Sequence, residues 1–311
     1  MSKLTHLVNT EQGQKFLFFG GKGGVGKTTM AAATAVWLAD NGHRTTIVST
    51  DPTVSLSAIF HQNISAVEKT KINTVPNLFA ININPSEATG VFQTRLSNTL
   101  SGFNGAMGSD LISTPCAEEM AAFDQFVQFI DSNDSDIIVF DTAPTGHSLR
   151  ELAMPFDWAN FLKKQVEQRK ELSKLLRLED DAEALEQLEA EKNRYDRAME
   201  TLKDADKTVF TLVLLAAYLP IEETSSAIKD LHTLGVPVQN FIINQLIPQE
   251  AIRGNSFLQN RYQIQEKYLQ EIGERFGHGF LYELPLLSSD VYDVATLRTI
   301  GKNLYNKGVD A

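Results

Sequence analysis

The chain has 311 residues, a net charge of −11 and one cysteine. At about 150 residues per domain, this length allows two domains or one large α/β domain with insertions. The acidic balance argues against nucleic acid as the main partner, because phosphate binding needs clustered positive charge. One cysteine excludes a disulfide or a cysteine-based metal site within a single chain, although two chains could still share a thiol site.

The N terminus and the longest apolar run bear on localisation. No apolar segment near residue 1 has the form of a signal peptide. The apolar run at residues 209–219 is too short to span a bilayer, which needs about 20 residues. We therefore expect a cytoplasmic protein.

Short apolar runs alternate with helical patterns along most of the chain. Their continuous apolarity indicates strands covered on both faces, which is typical of a parallel sheet, and the intervening helical patterns indicate βαβ units. We predict an α/β fold with a doubly wound, mostly parallel sheet in a single domain over residues 1–311. The predicted strands are Lys15–Gly20, Arg44–Ser49, Leu78–Asn82, Asp136–Asp141, Thr208–Leu215, Asn240–Asn244 and Phe280–Leu284.

Two mostly helical stretches, at about residues 87–129 and 155–204, interrupt this alternation. We expect them to pack together as one insertion into the domain. The second stretch carries many charges of both signs from Lys163 onward. Such a stretch is typical of a solvated helical hairpin, but a mobile helical subdomain for a cargo or a membrane partner remains the alternative.

A glycine-rich segment (GKGGVGKT) matches the phosphate-binding pattern GxxxxGK[ST] between a predicted strand and a predicted helix. Glycines let backbone N–H groups turn toward phosphates, and the helix N terminus adds a positive dipole. Lys27 would then reach the β- and γ-phosphates of ATP, and the Thr28 hydroxyl would ligate Mg²⁺. The ATP-binding residues predicted here are Gly21, Lys22, Gly23, Gly24, Val25, Gly26, Lys27, Thr28 and Thr29.

Two aspartates follow predicted strands and could serve the same phosphates. Asp51 comes just after the second strand and could orient an attacking water. Asp141 ends the apolar strand DIIVFD, a pattern that holds Mg²⁺, usually through water. The predicted metal residues are therefore Thr28, Asp51 and Asp141, partly through water. Either aspartate, taken alone, could instead cap a helix or a turn.

The loop and both aspartates lie in motifs that resemble those of one ATPase family. With Lys22 early in the loop, KGGVGK resembles the deviant Walker A class of dimeric P-loop ATPases. The segment STDPxxSLS contains Asp51, and the segment DTAPTGHSLR begins with Asp141. Both segments resemble the switch motifs of the arsenical pump-driving ATPases. That family also contains the ATPases that target tail-anchored membrane proteins.

The resemblance implies a role for each of these residues. The protein would be a homodimer in which Lys22 crosses to the nucleotide of the partner, where it acts with Lys27 and Asp51 in catalysis. Asp51 would position the water, and Asp141 would hold Mg²⁺. Pro144 and Gly146 would make the second switch sensitive to the γ-phosphate.

Two further segments resemble the adenine side of the family's nucleotide site. Asn244 ends a predicted strand, and its amide can donate and accept together, which suits the edge of adenine. Pro285 and Leu286 begin the segment that would cover the base. An asparagine at the end of a strand is also a common turn residue, so that reading of Asn244 remains open.

The lone cysteine and a missing motif bear on which branch of the family the chain resembles. Cys116 precedes an acidic helix with the letters AAFD, as in the metalloid site of the arsenical pump ATPases. Two such thiols could clamp one arsenite or antimonite ion across a dimer, or Cys116 could simply pack as a small residue. Asn255 and Leu258 stand where tail-anchored targeting ATPases carry a zinc-binding CxxC.

The resemblance therefore implies a homodimeric ATPase that uses ATP and Mg²⁺ and drives arsenite or antimonite efflux through a membrane pump. The alternative is a cytosolic targeting factor or chaperone for tail-anchored proteins, with an apolar cargo segment as its partner.

Overall fold

The structure, a computed structural model, describes residue 10 and residues 13–49, 56–83, 89–95, 117–130, 132, 134–141, 159–160, 162–164, 166–168, 170–171 and 182–305. The contacts divide the chain into two compact units. The first comprises Met1–Ile83, Asn133–Gly146 and Asp204–Ala311, and the second comprises Asn84–Ser132 and His147–Lys203. No helix within the described ranges is both long and apolar enough to cross a membrane.

The first unit contains one eight-stranded sheet. The order across it is β3-β4-β2-β5-β1-β6-β7-β8, and every neighbouring pair is parallel except β3 with β4. This topology confirms the predicted α/β fold with a mostly parallel sheet. The strands are β1 (Lys15–Gly20), β2 (Thr45–Ser49), β3 (Thr70–Lys71), β4 (Leu78–Asn82), β5 (Ile137–Asp141), β6 (Thr208–Leu215), β7 (Val238–Leu246) and β8 (Phe280–Pro285).

The short strand β3 is the one that the sequence analysis did not predict. It contains two residues, which is too few to show a hydrophobic period. The other strands agree with the prediction to within two residues at each end. Strands β1, β2 and β5 are buried at almost every position. Burial on both faces requires apolar side chains along the whole strand, and such continuous apolar runs can be recognised in the sequence.

Helices flank the sheet in the first unit, and the described part of the second unit also contains helices. A short 3₁₀ turn also follows β7 at Gln249–Ile252. In chain order the helices are α1 (Lys27–Asp40), α2 (Leu56–Phe60), α3 (Ala117–Ile130), α4 (Ala182–Lys203), α5 (Tyr218–Thr233), α6 (Ser256–Phe276) and α7 (Val294–Tyr305). Helices α3 and α4 belong to the second unit.

The centre of the sheet is fixed by aromatic stacking around β1. The Phe18 ring stacks on Phe140 of β5 and on Phe210 of β6, with both centroid distances at 4.7 Å. Each of these pairs is also directly opposite in the strand register. The stacked column holds β1 between β5 and β6, and so places the end of β1 at the middle of the carboxyl edge. In parallel sheets, ligands bind outside that edge.

Helix α1 is buried along almost its whole length. The run of alanines that follows Met30 lets α1 approach both the sheet and α7 closely. Trp37 packs on Tyr305 of α7 with ring centroids 4.9 Å apart, and Thr34 Oγ1 lies 2.6 Å from the Tyr305 hydroxyl oxygen. Burial raises the pKa of Tyr305, so this hydroxyl stays protonated. Helix α7 therefore locks α1 in place.

A buried charge network joins the parts of the second unit. Asp124 of α3 is only 1% exposed, and both of its carboxylate oxygens contact the guanidinium of Arg95, which lies in a helical segment at residues 89–95. Arg95 also contacts Glu191 of α4 at 3.0 Å, and the Tyr195 hydroxyl donates to Asp124 at 3.2 Å. Burying a charge is costly unless it is paired, so these contacts hold together segments from both predicted helical stretches. Whether the whole chain forms one domain stays a prediction.

Substituting Gly301 in α7 tests the contact between α7 and α1. A Cβ at Gly301 would lie 2.8 Å from the Trp37 Cβ and 3.0 Å from the Ala33 carbonyl oxygen. We expect Gly301→Ala to lower the free energy of unfolding by about 1–3 kcal/mol, because the helices must move apart. Urea denaturation measures this change.

The matched control is Gly273→Ala in α6, where a Cβ would meet nothing within 4 Å. Alanine is the better helix former by about 1 kcal/mol, so this variant should be neutral or more stable. Equal effects of the two variants would contradict the close approach of α7 to α1.

Candidate functional site

The glycine-rich loop lies between β1 and α1 at the carboxyl edge of the sheet. A Cβ at Gly21 would overlap the carbonyl oxygen of Val213 near the end of β6. A Cβ at Gly26 would lie 2.5 Å from Asn244 Nδ2 on β7, and Gly26 also has a φ of +95°. Glycine is thus required at both positions by close approach as well as by backbone conformation. The loop is pressed against the ends of β6 and β7.

The N terminus of α1 and Lys27 give this loop a positive character. Gly26 is the residue that precedes α1, and the first backbone N–H groups of a helix lack partners within it. Together with the helix dipole they attract anions. Lys27 is buried, with 6% exposure, and its Nζ donates to the Lys22 carbonyl oxygen at 3.2 Å. Its ammonium group therefore folds back over the loop.

Lys22 lies on the exposed side of the same loop. Its Nζ forms an ion pair with Glu223 of α5 at 2.6 Å, and both side chains are about two-fifths exposed. Exposed ion pairs contribute about 0–1 kcal/mol. The pair gives Lys22 a defined position, and breaking it costs little free energy.

Asp141 and Thr28 lie on elements that meet beside the loop. Asp141 ends β5 and is fully buried, and its Oδ2 accepts a hydrogen bond from the Ser49 hydroxyl at 3.2 Å. Thr28 is partly buried in the first turn of α1. A carboxylate and a hydroxyl are oxygen donors that suit Mg²⁺, which also takes phosphate oxygens and water. The chemistry of this donor set therefore fits a magnesium ion.

Asn244, Pro285 and Leu286 lie at the ends of neighbouring strands. Pro285 ends β8, and the Leu286 backbone N–H donates to the Leu246 carbonyl oxygen at 2.7 Å. Asn244 is buried, with 7% exposure, and its Nδ2 donates to the Val25 carbonyl oxygen at 2.8 Å. The amide thus faces the phosphate loop rather than open solvent.

Four of the predicted site residues lie outside the described part of the chain. They are the proposed water-positioning residue Asp51, the candidate metalloid ligand Cys116, and the second-switch residues Pro144 and Gly146. Their roles stay predictions.

The sequence analysis missed two residues that support the site. Glu223 is the ion-pair partner of Lys22, yet 201 residues separate the two in sequence, so no local pattern indicates the contact. Gln265 of α6 is buried, and its Oε1 accepts from the Ile247 N–H at 2.7 Å. Gln265 thus holds the residue that follows β7. The sequence indicated it only as a polar residue on the buried face of a predicted helix.

Asn255 and Leu258, which stand in place of a zinc motif, have a structural role. The Asn255 side chain accepts from the Leu258 N–H at 3.1 Å. This is the hydrogen bond of a helix N-cap, and it begins α6.

The sequence matches the family described as anion-transporting ATPase over residues 14–306. It is 36% identical over 299 residues to a putative arsenical pump-driving ATPase of Halobacterium salinarum, covering 94% of this chain but only 44% of that relative. It is 32% identical over 300 residues to putative arsenical pump-driving ATPase 2 of Aquifex aeolicus, covering 93% and 99%. It is also 31% identical over 301 residues to the ATPase GET3A of Arabidopsis thaliana, covering 93% and 83%.

Removing the charge of Asp141 tests the magnesium assignment. We expect Asp141→Asn to slow Mg²⁺-dependent ATP turnover by about 10²-fold or more, because a preorganised charge is lost where the transferred phosphate is stabilised. Steady-state phosphate release measures this rate, and nucleotide binding in EDTA should change little.

Ser49→Ala is the matched control, since it removes a hydrogen bond to Asp141 but keeps the carboxylate. Its turnover should fall far less than that of Asp141→Asn, because the negative charge stays in place and only one hydrogen bond to it is lost. Asp141→Asn activity at the wild-type level would refute the assignment.

Proposed function

Since this chain belongs to the anion-transporting ATPase family and is an ATPase, we propose that it works as a homodimer that powers a membrane pump for arsenite or antimonite. The observation that carries this proposal is the phosphate loop, which presents a buried lysine and an exposed lysine at the carboxyl edge of the sheet. Two relatives named as putative arsenical pump-driving ATPases support the choice of cargo.

Within one subunit, the loop and its neighbours bind and orient ATP. Lys27 and the first N–H groups of α1 hold the β- and γ-phosphates. Thr28 and Asp141 would hold Mg²⁺, which would supply positive charge that stabilises the transferred phosphoryl group. Asp51 orients the attacking water, and Asn244, Pro285 and Leu286 line the base side.

Lys22 completes the site of the partner. To cross the interface it leaves Glu223, and the exposure of that ion pair keeps the cost low. In the partner site it neutralises charge that develops in the transition state. Pro144 and Gly146 respond to the γ-phosphate, so that hydrolysis reopens the dimer and moves the helical stretches.

Cys116 is the proposed contact with cargo. Arsenite and antimonite are soft and bind thiolates well. With one cysteine in each chain, a dimer brings two thiols, which is the smallest set that could clamp one ion.

A second candidate function is the targeting of tail-anchored membrane proteins. It is favoured by the likeness to the ATPase GET3A of Arabidopsis, of which this chain covers 83%. This function requires a groove for an apolar helix. The described part of α4 (AEALEQLEAEKNRYDRAMETLK) is rich in charge instead.

An antimonite titration distinguishes the two functions. We expect antimonite to stimulate the ATPase activity of the wild-type protein and not that of Cys116→Ala, because the thiol provides the soft ligand. Phosphate release at increasing ratios of antimonite to protein measures the stimulation. Antimonate, an oxygen-rich ion with little affinity for thiols, is the chemical control and should have no effect.

The same titration can argue against the pump or against Cys116 as the ligand. Lack of stimulation at every ratio would contradict the pump, and equal stimulation of Cys116→Ala would contradict the assigned ligand. Co-purification with a protein that ends in an apolar segment would favour targeting.

Mixing two inactive variants tests whether Lys22 acts across the dimer. Lys22→Ala and Asp51→Asn should each have low ATPase activity alone. In a mixed dimer, one site receives Lys22 from one chain and Asp51 from the other, and is intact. Random mixing makes half of the dimers mixed, each with one intact site, so about a quarter of the wild-type rate should return.

If Lys22 acts within its own chain, every site in the mixture lacks one residue and no activity returns. Lys69→Ala is the control, because Lys69 also forms an ion pair, with Asp134, in which the two side chains are 21% and 58% exposed. That variant should turn over ATP at the wild-type rate by itself.

A further inference from the structure

The side chain of Asn244 joins the end of β7 to the phosphate loop. Its Nδ2 donates to the Val25 carbonyl oxygen at 2.8 Å across 219 residues of sequence. Its Oδ1 accepts from the Gln245 backbone N–H at 2.8 Å. The amide is 7% exposed, and both of its ends are engaged. These two hydrogen bonds fix the orientation of the buried amide, because turning it would leave a buried polar group without a partner, which costs free energy.

The loop is shaped to receive this amide. A Cβ at Gly26 would come within 2.5 Å of Nδ2, so the amide can approach only because residue 26 has no side chain. Gln245, next to Asn244, has a φ of +58°, which is unusual for a residue other than glycine. A backbone in this sparsely populated region persists only where its surroundings hold it. Both the loop, through Gly26, and the strand end, through the backbone of Gln245, are shaped to allow this contact.

The hydrogen bond fixes the orientation of one peptide in the loop. In a planar trans peptide the C=O and the following N–H point in opposite directions. Holding the Val25 carbonyl toward Asn244 therefore turns the Gly26 N–H the other way. A phosphate-binding loop needs its N–H groups inward and its carbonyl groups outward. We infer that Asn244 is a positioning residue, which keeps the Val25–Gly26 peptide in the orientation that binds phosphate.

This inference rests on the proposed use of the loop for ATP phosphates, and it adds a role to the base-side role expected for Asn244. The same strand end also carries the base side of the site, since the Leu246 carbonyl accepts from the Leu286 N–H. Gln265 fixes the next residue, Ile247. A single strand end thus sets the position of the phosphate loop and of the segment beside the base.

Binding of inorganic triphosphate separates the two roles, because it has phosphates but no base. Asn244→Leu removes both hydrogen bonds, keeps the branched shape and adds no charge. If Asn244 positions the loop, the affinities for ATP and for triphosphate, with Mg²⁺ present, should both fall by a similar factor of about 5 to 100. Isothermal titration calorimetry measures both, and urea denaturation shows whether the variant folds.

Asn240→Leu is the matched control. Asn240 is also a buried asparagine on β7, and its Nδ2 lies 3.5 Å from the Thr211 hydroxyl rather than near the loop. This control should lose stability and still bind triphosphate as the wild-type protein does. If Asn244→Leu does not fold, Asn244→Ala provides the same comparison, because it also lacks both hydrogen bonds and relieves any overlap.

Three results would overturn the inference. Triphosphate binding that stays unchanged while ATP binding falls would make Asn244 a reader of the base only. If Asn240→Leu and Asn244→Leu lose the same triphosphate affinity, the effect comes from reduced stability and not from the orientation of the loop. The premise has its own control, since Lys27→Ala should abolish triphosphate binding. If Lys27→Ala binds triphosphate normally, the loop is not the phosphate site and the inference falls with it.

Discussion

The close approach of the glycine-rich loop to the ends of β6 and β7 is the constraint on which the rest of the site depends. At Gly21 and Gly26 there is no room for even one more carbon atom. The loop can occupy this space because stacked aromatic rings hold β1 at the centre of the sheet. Parallel pairing then brings the ends of β2 and β5, with Ser49 and Asp141, to the same edge. The sheet therefore positions these polar side chains at the edge where the loop lies.

This constraint gives the two lysines of the loop different properties, although they are only five positions apart in the sequence. Lys27 is buried at the N terminus of a helix that is itself enclosed by the sheet and α7, so its position is set by the core. Lys22 is about two-fifths exposed, and among the described residues its ammonium group pairs with Glu223. A residue that must contact its own nucleotide in every state benefits from the first environment. The proposed crossing of Lys22 to a partner would benefit from the second environment, because a solvent-exposed ion pair costs little free energy to break.

The features that the sequence could predict are local, and those it could not are contacts between distant residues. Long apolar runs identified the strands of the parallel sheet, and the spacing of the loop predicted Lys27 and Thr28 as the residues that bind phosphate and Mg²⁺. The short β3 has no such run. The contact of Asn244 with Val25, and that of Lys22 with Glu223, each join residues more than 200 positions apart. Resemblance placed Asn244 at the nucleotide site, but only the fold shows that its amide faces the phosphate loop.

The second unit shows how far a charge pattern can predict environment. The mixed charges after Lys163 are typical of a solvated hairpin, yet Glu191 and Arg194 are only 14% and 19% exposed and belong to the charge network around Asp124. Burial raises the pKa of Glu191, while Arg95 and Arg194 oppose that shift. Removing one partner of a buried ion pair leaves the other charge uncompensated. Each of these residues therefore depends on the others for its stability. Charged side chains here determine how α3, α4 and the segment at 89–95 pack, and a relative in which they were replaced singly would have to rebuild that packing.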